Sequence, residues 1–162
     1  MAYIDYAFYK SLYGEDIAEQ DFNRFAFDAS RIVDNCTSGV DGVKKLEIAF
    51  PTKESDALAV KHCICKLIQM CKELETAEAA YRITKNADGQ YSTGVVASVS
   101  SGSESVSYKV PDAFSAPVSD YSERRKAFYN LVSSYLSGVQ DANGVNLLYG
   151  GRYPVRVGEG LV

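Results

Sequence analysis

His62, Cys63, Cys65 and Cys71 fall within ten residues of one another, and imidazole beside thiolate is the chemistry of zinc ligation or of an activated nucleophile. The surrounding run has the apolar spacing of a helix, in which each residue turns by about 100°. Cys63 and Cys65 then point in very different directions and cannot share a tetrahedral ion unless the segment unwinds. His62 is the only histidine, and it lies between the apolar positions Val60 and Ile64. A nucleophilic pair needs thiol and imidazole to converge from different elements, with a further group orienting the base; nothing in the sequence marks such a group. The cysteines Cys36, Cys63, Cys65 and Cys71 therefore read as reduced, buried or half-buried thiols, and His62 as a surface or boundary residue.

Carboxylates are abundant, but their positions are those of helix architecture. Asp16, Glu19, Glu54, Asp56 and Glu123 stand at helix starts, and Glu73, Glu75 and Glu78 follow an exposed face. The chain contains no P-loop, no GxGxxG after a strand, no HExxH and no GxSxG. The serine-rich "SSGSES" resembles a phosphate loop only superficially, because no helix start or lysine follows at a suitable distance. The residues thus point to a protein without catalysis, with no catalytic, metal or cofactor site.

The elements that carry these residues belong to a chain of 162 residues, long enough to bury a core without metal or disulfide staples. Hydrophobic residues make up 46% of it, too many for a disordered chain. Twelve tyrosines beside no tryptophan suit surfaces that become partly buried on assembly. A net charge of −4 offers no basic footprint for phosphate-backbone binding. The short clusters Lys44–Lys45 and Arg124–Arg125–Lys126 lie near acidic residues and read as solvated faces. The opening residues lack the pattern of a signal peptide, and no apolar run approaches a membrane span. The expectation is a soluble protein made in the cytoplasm, with its thiols reduced.

Asp5 is placed to cap a short helix over Tyr6–Leu12 that stops at Gly14. Asp16 with Glu19 forms the pattern of a capping box. Phe22, Phe25, Ala26, Ala29, Ile32, Val33 and Cys36 then repeat at helical spacing, which predicts an amphipathic helix over Ala18–Cys36. A loop follows, with a brief extended piece at Leu46–Phe50. Thr52 is placed to cap the longest helix, Asp56–Ala80, where Val60, Ile64, Leu67, Ile68, Cys71 and Leu74 mark the core face. The grammar then changes: Asp88–Gly89 signals a turn, and Val, Tyr and Ser alternate, so the segment reads as one or two β-hairpin arms. In "VASVSSGSESVSYKV", Val106, Tyr108 and Val110 fall on one side of an extended chain and Ser105, Ser107 and Lys109 on the other. A last helix, Ser122–Leu136, is capped by Asp120 with Glu123 and presents Ala127, Phe128, Leu131, Val132, Tyr135 and Leu136. The fold class is mainly α: a small helical bundle with an inserted β-hairpin-like arm and an extended C-terminal tail. It is a single domain over 1–162, with a helical core at about 5–80 and 120–137, the arm at about 82–110 and the tail at 139–162.

The stretches "YKSLYGEDIAEQDFNRFAFDASRIVDNCT", "AVKHCICKLIQM", "SVSSGSESVSYKV" and "VSSYLSGVQDANGVNLLYGG" come in an order that resembles the head–tail connector proteins (adaptor or head-completion proteins) of tailed bacteriophages and prophages of Gram-positive bacteria. The resemblance spans roughly residues 3 to 153, through loose individual motifs in a more specific order. It implies a structural virion protein, a helical subunit that forms a ring, typically dodecameric, under the portal protein. Such a ring extends the DNA channel and offers the docking surface for a stopper or tail-completion protein, with no membrane involved. DNA would pass through without sequence-specific binding.

Carried over by position, Tyr13–Gly14 with Phe22 and Phe25 match the first helical motif, Ser105–Val106–Ser107–Tyr108 the serine arm, and Leu147–Leu148–Tyr149 the terminal segment. The residues expected at subunit or portal interfaces are Ser103, Ser105, Val106, Ser107, Tyr108, Leu148, Tyr149, Arg152 and Tyr153. One departure stands out: Gly150 and Gly151 occupy the place after the terminal tyrosine where the family pattern leads one to expect a basic residue. A strand edge left open in such an arm is a liability unless another chain pairs with it, and head-to-tail pairing closes rings. The alternative of a different class is a monomeric helical protein-binding module that folds the arm back on its own core. A small hydrolase using His62 and a nearby thiol is the third reading.

Overall fold

Asp5 opens the first helix by accepting a hydrogen bond on its carboxylate from the Phe8 amide at 2.7 Å, satisfying one of the donors that a helix start leaves free. The computed structural model describes residues 3–81, 83–85, 91–93, 98–101, 104–107 and 121–154. Helix α1, Tyr6–Tyr13, ends where Gly14 adopts φ +72° and returns its N–H to the Lys10 carbonyl at 2.8 Å. Helix α2 spans Glu19–Thr37, α3 Lys45–Ile48, α4 Glu54–Tyr81 and α5 Tyr121–Leu136. The protein is mainly helical, and the three long helices lie within two residues of their expected bounds.

The starts and stops of the elements depart from expectation at several points. The capping box does not form: Ala18 holds the cap position of α2 without a side-chain bond, and Asp16 instead accepts from the Tyr9 hydroxyl at 3.2 Å. The extended piece expected at Leu46–Phe50 is a turn of helix over Lys45–Ile48, where the Glu47 and Ile48 amides both donate to the Lys44 carbonyl. At the start of α4 the Lys53 carbonyl accepts from Asp56 and Ala57, so Lys53 rather than Thr52 stands at the cap. The expected cap Asp120 lies outside the described residues. On α5, Val132 and Leu136 are buried, but Tyr135 is exposed and Leu131 half-buried, so its apolar face is narrower than its sequence suggests.

Contacts divide the chain into two compact units, Met1–Gln69 with Phe128–Val162, and Met70–Ala127. In the first, Phe22, Phe25, Ala26, Ala29 and Val33 form the buried stripe of α2, and Val60, Ile64, Leu67 and Ile68 that of α4. Tyr9 is fully buried and packs its ring 5.4 Å from that of Phe22. Each such large apolar side chain contributes about 1.5–3 kcal/mol through removal from water.

The second unit takes the end of α4 and the start of α5, where Arg124 Nη2 meets Glu78 Oε1 at 2.5 Å. It also holds two short antiparallel pairs, β1 (Ile83–Lys85) with β2 (Tyr91–Thr93), and β3 (Ser98–Ser101) with β4 (Glu104–Ser107). Ser100 stands opposite Ser105, and Val99 opposite Val106. The expected turn at Asp88–Gly89, the side chains of the serine segment and the connection onward to α5 lie outside the described residues.

Candidate functional site

The segment after α5 folds onto its own unit around two buried charges. Asp141 accepts on Oδ1 from the Asn143 and Val145 amides at 2.9 and 2.8 Å, and on Oδ2 from the Tyr153 hydroxyl at 2.6 Å. The Asp141 amide donates to the Val145 carbonyl and the Leu147 amide to Val139, which closes a tight reversal from Val139 to Leu147. Leu147 is fully buried. From the other side comes Lys45, whose Nζ donates to the carbonyls of Asn146, Leu147 and Tyr149 at 3.4, 2.9 and 2.5 Å. One ammonium thus supplies its donors to three backbone acceptors, and burial holds it below the ordinary lysine pKa, partly opposed by Asp141 and Asp41. Reading Lys44–Lys45 as one solvated pair was wrong: Lys44 is solvated, whereas Lys45 is buried.

Two further bonds fix the exit of this segment. Asp41 accepts from the Tyr153 amide at 2.7 Å, and Val40 donates to the Gly150 carbonyl at 3.0 Å. Here the two stretches of backbone nearly touch: a Cβ on Gly39 would lie 2.0 Å from the Gly151 oxygen. A Cβ on Gly151 would meet the Tyr149 hydroxyl at 2.2 Å. The crossing therefore constrains Gly39 through backbone and Gly151 through the Tyr149 ring, whereas a Cβ on Gly150 would meet nothing within 4 Å. Gly39→Ala should cost about 1–3 kcal/mol, because rigid backbone must give way. Gly151→Ala should cost less, because the obstructing atoms belong to a side chain that can turn aside; chemical denaturation of both variants checks the order.

Of the expected interface residues, Leu148, Tyr149, Arg152 and Tyr153 are brought together on this clamped segment. Tyr149 is 52% exposed, Arg152 is exposed, and Leu148 and Tyr153 are half-buried. Ser105, Val106 and Ser107 lie on β4, while Ser103 and Tyr108 fall outside the described residues. The first group belongs to one unit and the β4 residues to the other. Asp41, Lys45 and Asp141 were missed by sequence reasoning; the run Asp141–Ala142–Asn143–Gly144 is a turn signature that could have exposed the last of them.

The thiols and the histidine are placed as their helix dictates. Cys63 and Cys65 are buried free thiols, each pushed up to about 12 by burial, and Cys36 and Cys71 are half-buried. A thiol so disfavoured as thiolate is a poor nucleophile. The His62 ring meets Phe8 edge-on at 5.8 Å. Among the described residues no group of His, Cys, Asp and Glu is arranged to hold a metal ion.

A second concentration of charge lies on α2. Asp34 is buried, accepts on Oδ1 from the Tyr3 hydroxyl at 2.7 Å, and has its pKa raised by desolvation, which outweighs the opposing effects of Tyr3 and Lys44. A carboxyl whose folded pKa exceeds its unfolded value contributes stability at low pH that is lost as pH rises through the folded value. Asp34→Asn retains an acceptor for Tyr3 and removes the buried charge. The variant should therefore be at least as stable as the parent at pH 7 and should lose part of the parent's pH dependence across the acidic range, as read from urea midpoints against pH.

No family model, curated protein or solved structure matches this chain. Among the described residues no helix is long and apolar enough to cross a membrane.

Proposed function

We propose that the chain is a non-catalytic connector subunit at the head–tail interface of a tailed bacteriophage. It would be made in the bacterial cytoplasm and assemble as a ring, expected to be dodecameric, under the portal. The order of the four sequence stretches supports this reading, and so does the mainly helical fold. The observation that carries it furthest is the clamped terminal segment. Lys45, Asp41 and Asp141 fix the backbone from which Tyr149 and Arg152 face solvent. Contact residues presented on fixed backbone bind without a large ordering cost.

The test is co-purification with the portal protein, followed by imaging of the symmetry. The expected result is a closed ring seated on the portal, weakened by Tyr149→Ala and Arg152→Ala together. Deleting Ser100–Lys109 should spare helical content while abolishing ring assembly or portal docking. A species that stays monomeric with portal present would remove the proposal.

One observation favours the second reading, a monomeric helical binding module. The strand pairs and the terminal segment all find backbone partners within the chain. Light scattering of the purified protein, with and without portal, separates the two.

A further inference from the structure

Residues Phe27, Ser30, Arg31, Asp34 and Asn35 share one face of α2 and, with Lys44 and Glu47, line a cleft of about 300 Å³. At its floor Asp34 is only partly engaged. Tyr3 occupies Oδ1, whereas among the described residues the cation paired with Oδ2 is Lys44, whose Nζ lies at 4.0 Å, beyond hydrogen-bond range. Lys44 is bonded instead to Glu47 at 2.9 Å. Asp34 lines the cleft with a carboxylate that is only 6% exposed. At the mouth, Phe27 is 53% exposed, and the Arg31 guanidinium lies 5.9 Å from its ring centroid, so this ring already supports a guanidinium.

We propose that this cleft binds an arginine side chain of a partner protein, with its guanidinium on Asp34 Oδ2 and its stem along Phe27. The rim cations Arg31 and Lys44 oppose any incoming positive charge. The ligand must therefore replace the distant Lys44 contact with something geometrically better. A planar guanidinium, which forms paired hydrogen bonds to carboxylates, does this better than an ammonium. Glu47, released from Lys44, supplies a second acceptor in the lining. The chain's net charge of −4 draws a basic partner surface from a distance. This site is independent of the connector reading.

The experiment is a titration with N-acetyl-arginine-methylamide, followed by backbone amide chemical shifts. Perturbations should concentrate at Phe27, Ser30, Arg31, Asp34, Asn35, Lys44 and Glu47. The neutral isostere N-acetyl-citrulline-methylamide and the lysine analogue should each bind at least about tenfold more weakly, the step that one lost charged hydrogen bond gives. Asp34→Asn should reduce arginine binding by a similar factor while Tyr3 keeps its acceptor. Lys44→Ala should tighten it, because a competing cation has gone.

Acidification should release the ligand as Asp34 protonates, with Tyr3, Arg31, Lys44 and Glu47 the other described titratable or charged groups around it. Shifts scattered over the surface, equal binding of citrulline, unchanged binding by folded Asp34→Asn, or weaker binding by Lys44→Ala would each overturn the assignment.

Discussion

Replacing Lys45 by methionine should destabilise the first unit by roughly 1–3 kcal/mol, the cost of leaving a buried acceptor without its donor. Methionine keeps the stem and its packing but donates no hydrogen bond. The carbonyls of Asn146, Leu147 and Tyr149 would lose their shared donor; Asn146 keeps the Tyr149 amide and Tyr149 lies near solvent, so the main cost falls on the buried Leu147 carbonyl, at about 1–3 kcal/mol. Burial of the ammonium works the other way, since it lowers the lysine pKa and makes the parent's charge expensive. The carbonyls prevail because an aliphatic side chain offers them nothing. The urea midpoint should fall, and amide exchange should accelerate first across 139–153. Lys44→Met, one residue earlier, should change stability by no more than about 0.5 kcal/mol, as exposed substitutions do. A Lys45→Met protein within 1 kcal/mol of the parent, by a measurement able to resolve that difference, would show that water replaces the ammonium at no cost.

The second large effect is expected at Asp141. Substitution by alanine removes the acceptor for the Asn143 and Val145 amides and the Tyr153 hydroxyl. Hydrogen bonds to a charged group contribute about 1.5–3 kcal/mol each. Solvent reaches Asn143 and the edge of the turn, so a total near 3 kcal/mol is expected rather than the sum. Asp141→Asn, which keeps one carbonyl acceptor, should fall between parent and alanine. Combining Asp141→Ala with Lys45→Met should cost clearly less than the two separately, because either change already frees the same segment. Additive costs would show that the clamp consists of two independent contacts.

The long helices were legible because their signals are local. Phe22, Phe25, Ala26, Ala29 and Val33 repeat at helical spacing, and the run from Glu54 to Tyr81 contains neither glycine nor proline. The signals that failed were those that tertiary contacts override. Asp16 had the sequence of a cap, but the buried Tyr9 hydroxyl claims its carboxylate. Leu46–Phe50 had the composition of a strand, yet the Lys44 and Lys45 carbonyls find donors one turn on, and the residues become helical.

The candidate sites show the same division. Tyr149 and Arg152 could be named from a terminal motif. Lys45 could not be distinguished from Lys44, because what buries it lies about a hundred positions later in the chain. Asp34 has no local signature, since its environment is assembled by Tyr3 from one side and Lys44 from the other.

That separation along the chain also sets an order of events during synthesis. The second unit, Met70–Ala127, emerges from the ribosome whole, whereas the first still lacks everything from Phe128 onward. Until Leu147 and Tyr149 are made, Lys45 has no carbonyls to meet and Asp41 no Tyr153 amide. Early helices can form, but the closing contacts span separations of 101 to 112 residues, and non-local closure is slow. The nascent chain must therefore carry an unfinished first unit until Tyr153 has been added, which makes this unit the one most exposed to chaperones and proteases.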